Sequence, residues 1–167
     1  MYMGDFNPSF PSTISNLTGW YTGDSAVMSG SAMTEWTDLS GNNNHVTGSD
    51  LAGTIQRVST GGGIIGGPRP FIHGGTSERM KFSTSVMTGT TNNYTLFHVT
   101  KYYTPGGTPT RSRIFDGIGN NWLSGFHSGD TGVAYHNGWA TTNTSGDLHG
   151  NDWVFSTDQR SLYRSNG

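Results

Sequence analysis

Six histidines, at positions 45, 73, 98, 127, 136 and 149, and eleven acidic residues, of which only Glu35 and Glu78 are glutamates, are the groups from which this chain could build hydrolytic or metal chemistry. No His-x-His or His-Glu-x-x-His spacing occurs, so a zinc site would have to be assembled from separate strands. His98 lies in the most apolar segment and reads as a satisfied core imidazole. Glycoside hydrolysis needs two carboxylates facing one sugar, and no Glu-x-Asp-x-x-Glu strand pattern is present. Gly-x-Ser-x-Gly is absent too, which leaves only a dispersed Ser-His-Asp set that spacing does not reveal. Residues 61–66 match the outline of a dinucleotide-binding turn, but Gly67-Pro68-Arg69-Pro70 follows at once and stops the helix that would hold a pyrophosphate. The chain is expected to be no enzyme.

Binding chemistry is better represented. Asp38, Asn42 and Asn44 sit within seven residues around Gly41, an oxygen-rich arrangement that can hold Ca²⁺ or can bond its own turn backbone. Trp139 follows Asn137-Gly138 and Trp122 follows Gly119-Asn120-Asn121, so both indoles lie at or beside turns rich in amides. A ring face beside amides, His136 and Asp130 is what a sugar site uses, and burial as a cap on the core is the alternative for both tryptophans. The glycan-binding candidates are therefore Trp139, Asn137, His136, Asp130 and Trp122, and the metal candidates are Asp38, Asn42 and Asn44. Asn-x-Ser/Thr triplets at Asn16, Asn93 and Asn143 are expected by chance in a chain so rich in these residues.

Turns and strands must position these groups. Glycine supplies 26 of 167 residues, more than twice the usual share, while lysine and glutamate number two each, which disfavours helices. Five Trp, seven Tyr and eight Phe give enough buried surface to exclude full disorder. Strands are predicted at 34–39, 53–58, 79–82, 94–103, 113–116, 122–126, 132–136, 153–157 and 161–163, with 94–103 as a central strand apolar on both faces. Asn137-Gly138 and Asn166-Gly167 are predicted type I′ hairpin turns. Residues 1–18 read as an extended arm whose Tyr2, Phe6 and Phe10 need something to pack on. The net charge of −2, without runs of one sign, gives no support to nucleic-acid binding. No run of 18 apolar residues exists to form a membrane span, and residues 1–8 carry no secretory signal. With no cysteine there are no disulfides or thiolate metal sites.

The segment Trp36-Thr37-Asp38-Leu39-Ser40-Gly41-Asn42-Asn43-Asn44-His45 closely resembles the Trp-x-Asp-x-Ser-Gly-Asn-x-Asn-His segment of concanavalin A-like lectin/glucanase domains of the laminin-G-like type. Gly19-Trp20-Tyr21 is similar to that family's opening strand, 94–99 to its central strand and 161–167 to its late Leu-Tyr-x-Asn-Gly hairpin. The resemblance implies an all-β, two-sheet antiparallel jelly-roll sandwich over residues 19–167, with the family's last strands falling beyond the hairpin at 166–167. It implies a non-catalytic glycan-binding or adhesion module, sometimes with a structural calcium, of the stand-alone type found in structural proteins of large DNA viruses and phages. The expected partner is a glycan or glycoprotein, and the expected place is a virion or extracellular surface. The alternative is a structural protein of a virion, capsid or filament that uses the same fold for assembly. Either way, residues 161–164 are expected to lack a neighbouring strand, so that self-association would proceed through this edge and the N-terminal arm.

Overall fold

The computed structural model describes residues 11, 13–62, 69–87, 93–104, 111–142, 148–160 and 162–167. The expectations for the arm, apart from its last residues, and for Asn143 and Ser161 lie outside them. The described chain is all-β, with two single-turn 3₁₀ segments, Gly23–Ser25 and Gly48–Asp50, and no α-helix. Among the described residues, no helix is long and apolar enough to cross a membrane. The chain forms two compact units, Met1–Met87 and Thr88–Gly167, where the sequence suggests one sandwich from residue 19 onward.

In the first unit, β1 (Ala26–Ser29), β2 (Ala32–Trp36) and β3 (Val46–Thr47) form one antiparallel sheet in that order. Gly30, at φ +62°, opens the two-residue turn between β1 and β2, a position that suits glycine because no Cβ opposes it. Then β4 (Leu51–Ala52), β5 (Gln56–Gly62), β6 (Arg69–His73) and β7 (Arg79–Met80) pair as β4 with β7 and β5 with β6. Ala26, Met33 and Ile55 are buried at the centre, with Met28, Trp36, Leu51, Ile72 and Met80 packed around them. Tyr21 and Phe82 flank the Trp36 indole, each pair of rings 5.1–6.0 Å apart.

The second unit contains β8 (Thr95–Thr100), β9 (Phe115–Asp116), β10 (Trp122–His127), β11 (Asp130–His136), β12 (Val154–Gln159) and β13 (Leu162–Ser165). They make two three-stranded antiparallel sheets, ordered β11-β10-β9 and β13-β12-β8. The central strands are β10 and β12. Contrary to expectation, β8 is an edge strand among the described residues, paired only with β12, and only one of its faces is covered: His98 is buried while Phe97 and Val99 are 57% and 48% exposed. At the other edge β13 pairs only with β12 among the described residues.

Between the two sheets lie Tyr102, Phe126 and Val154, and beside them a chain of polar contacts. His98 reaches the Ser124 hydroxyl at 3.0 Å, Ser156 shares a hydrogen bond with the Tyr163 hydroxyl at 2.7 Å, and the fully buried Asp158 meets His136 at 3.0 Å. Gly125 lets the layers approach this closely. A Cβ there would stand 2.9 Å from the His98 ring, and its φ of +88° is one that other residues rarely adopt.

The hairpin turns are redistributed. Ser128 and Gly129 take φ of +49° and +103° and join β10 to β11, so the primed two-residue turn is there. At Asn137-Gly138 only Asn137 has positive φ, and the predicted type I′ geometry gives way to a three-residue reversal in which Tyr135 bridges to Trp139. Backbone pairing of Ala140 N–H with Ala134 O at 2.9 Å favours this wider loop.

Candidate functional site

The β10–β11 hairpin presents the candidate binding ledge. After the reversal at Asn137, the Ala140 bond and the Tyr135 bridge lay Trp139 beside β11. Its indole stands edge-on to Tyr135 at 5.4 Å and 89°, and meets the His127 ring at 5.9 Å and 66°. These neighbours fix its orientation while 41% of the residue remains open to solvent. Asp130 stands opposite His127 in the register, on the same side of the sheet, and Asn137 is exposed at the turn. His127 Nδ1 is buried without a hydrogen-bond partner among the described residues, a polar atom left over beside the indole.

Two of the expected sugar contacts are placed elsewhere. Trp122, on the central strand, is 2% exposed; its Nε1–H donates to the Tyr94 hydroxyl at 2.9 Å and its ring lies parallel to His136 at 5.9 Å. His136 points the same way and bonds Asp158 and the Arg160 carbonyl, so neither ring serves the ledge. The physical reason is the strand period: positions 122 and 136 are paired and share the inner face, and 135 and 139 take the outer one. Tyr135 and His127 are the contributions that the sequence does not reveal, because alternation along β10 and β11 separates two faces without saying which one is covered.

Desolvation dominates the titration of the inner seam. Burial pushes His98 down from 6.5 to about 4, with the nearby Asp158 charge opposing, so the ring is neutral at pH 7. Burial also pushes Tyr94 and Tyr163 up to about 12. Neutral imidazole and phenol, closed in by other side chains, act here as hydrogen-bonding struts.

In the first unit, Asp38 organises the loop that carries the metal candidates. One carboxylate oxygen accepts the backbone N–H groups of Trp20 and Ser40, each at 2.9 Å. The other accepts the Ser40 hydroxyl at 2.8 Å and the Asn44 N–H at 3.0 Å. Asn42 and Asn44 turn their amide N–H groups to the carbonyls of Leu17 (2.7 Å) and Thr18 (2.8 Å), and His45 Nδ1 accepts the Asp38 N–H at 3.0 Å. The carbonyls of residues 17 and 18, at the end of the expected arm, are thereby tied to this loop. Burial alone would raise the Asp38 carboxyl, but the bonds from Trp20, Ser40 and Asn44 outweigh it and hold it below its ordinary 3.8. A calcium ion would use Asp38 with carbonyl oxygens of Asn42 or Asn44, and would have to displace several of these bonds to reach the carboxylate. No group of three His, Cys, Asp or Glu side chains suited to a metal occurs among the described residues.

Compared with known proteins, the chain matches no family model, no curated protein and no solved structure.

Proposed function

We propose that this protein is a non-catalytic glycan-binding or adhesion module displayed on a particle or cell surface, built as a two-sheet jelly roll of the concanavalin A-like kind. The observation that carries the reading is Trp139, an indole fixed by Tyr135 and His127 yet 41% open, with Asp130 and Asn137 nearby to orient hydroxyl groups. Sugars bind such sites by resting C–H faces on a ring while amides and carboxylates select hydroxyl directions. A glycan array with the whole chain, followed by titration of the best ligand, tests it. Trp139→Ala should weaken binding by about 1–3 kcal/mol and leave the melting temperature unchanged. No binding at millimolar sugar, or unchanged affinity with a lowered melting temperature, would refute the reading.

A second reading, a structural subunit of a virion, capsid or filament, is favoured by the outer face of the β13-β12-β8 sheet. There Phe97 and Phe155 stack at 6.3 Å and 16°, with Val99 beside them and Leu162 across the sheet, each 43–57% exposed. Such a face is sticky, and two sheet edges adjoin it among the described residues. Mass measured against concentration tests assembly: association that Phe97→Asp abolishes would support it, and a monomer at every concentration would sink it.

A further inference from the structure

In the first unit the β1–β2 turn and strands β5 and β6 line an open surface cavity of about 390 Å³. That lies within the range of about 300–1,000 Å³ common for small-molecule sites. Among its described lining residues the one fixed charge is Arg57, and none is a carboxylate. Among the described residues the guanidinium donates one hydrogen bond, to the Ala26 carbonyl at 3.3 Å, which steadies the fork while its other N–H groups suit a ligand. His73 lines the same space, and burial pushes its pKa below 6.5, so at pH 7 it is a neutral hydrogen-bonding ring and not a second cation. Ser31, Ser59 and Gln56 bring hydroxyl and amide groups, while Met28 supplies an apolar contact.

One cation with neutral polar neighbours suits a single negative charge on a body rich in hydroxyl groups. A dianionic phosphate would leave charge uncompensated, and a neutral sugar would leave the guanidinium fork unused. We propose that this cavity binds a sugar acid, a saccharide unit carrying one carboxylate, with Arg57 on the carboxylate and Gln56, Ser31, Ser59 and His73 on the hydroxyl groups. The proposal rests on the glycan-binding reading and gives it a second contact point with its own ligand chemistry.

The test is titration of the whole chain, by NMR, with galacturonate, N-acetylneuraminate, glucose and acetate. The sugar acids should bind at least about tenfold more tightly than glucose or acetate. Arg57→Gln should cost about tenfold or more. Ser59→Phe, which fills the cavity from an exposed strand position, should abolish binding at an unchanged melting temperature. Trp139→Ala should leave sugar-acid affinity unaltered. The proposal is overturned if no sugar acid binds, if acetate binds as well as galacturonate, or if neither Arg57→Gln nor Ser59→Phe matters. Glycan binding that depends on Trp139 without any sugar-acid binding would overturn the cavity site alone. Sugar-acid binding through Arg57, with no array glycan whose affinity depends on Trp139, would uphold the cavity and overturn the ledge.

Discussion

Replacing Asp38 should cost the protein more stability than almost any other surface-loop change, because one carboxylate satisfies three backbone N–H groups and one hydroxyl. Bonds to a charged acceptor are worth about 1.5–3 kcal/mol each when buried, but Ser40 and Asn44 are only half-buried and water would recover part of the loss. At about 1 kcal/mol for each bond, Asp38→Ala should lose about 3–5 kcal/mol. Asp38→Asn keeps one oxygen, so it can still hold the Trp20 and Ser40 N–H groups. It then sets an amide N–H against that of Asn44, for a loss of about 1–2 kcal/mol. Ser40→Ala removes one hydroxyl bond and should cost about 0.5–1.5 kcal/mol. Urea unfolding followed by tryptophan fluorescence at pH 7, with midpoints compared at constant slope, reads these differences. The pH dependence adds an independent signature. The folded-state carboxyl is held below 3.8, so its contribution is complete above that value and is lost as pH falls through the folded pKa; Asp38→Asn should remove that step. An Asp38→Ala loss under about 1 kcal/mol, or Asp38→Asn matching the wild type, would refute the account of the turn.

Three further outcomes follow from the same geometry. His98 is depressed from 6.5 to about 4 in the folded state, so stability should be full above 6.5 and fall by up to about 3 kcal/mol as pH drops through that window, a slope that His98→Gln flattens in urea titrations. Gly125→Ala should destabilise by about 2–4 kcal/mol, since the new Cβ meets a His98 ring pinned by Ser124 and Thr100 and φ stays positive; a melting temperature unchanged by the substitution would contradict this. Millimolar calcium, or chelator, should shift the melting temperature by less than a degree or so, because an ion bound only to the native state must stabilise it and Asp38 is already occupied; a clear calcium-dependent rise would give the loop a metal.

Strand positions were legible in the sequence because their signal is local. Nine of the thirteen strands among the described residues overlap predicted runs such as 122–126, 132–136 and 153–157, where β-branched and aromatic residues sit between Gly and Asn clusters. The strand Ala26–Ser29 escaped because Ala-Val-Met-Ser carries no strong period, and it forms through pairing with β2. The inward phase of Trp122 and His136 was not legible either. Choosing which face of β10 is covered requires knowing that the sheet β13-β12-β8 exists, a contact made by distant residues. In the candidate metal loop, composition disclosed the oxygen-rich turn around Asp38. It could not disclose the bonds to Leu17, Thr18 and Trp20, whose partners lie about twenty residues upstream.

The pairing of β8 with β12 also has a consequence for synthesis of the chain. Thr100 and Val154 are the partners nearest in sequence in that pair, 54 positions apart, while each of the hairpins β10–β11 and β12–β13 closes over a handful of residues. Local hairpins close first, and β8 can be zipped in only after the longer loop has been gathered. On a ribosome adding about 5–20 residues per second, Leu96-Phe97-His98-Val99 emerges and then waits about 3–10 s for its partner. During that interval it is an unpaired apolar strand, and a nascent chain with this topology depends on chaperone cover or on low local concentration of its siblings.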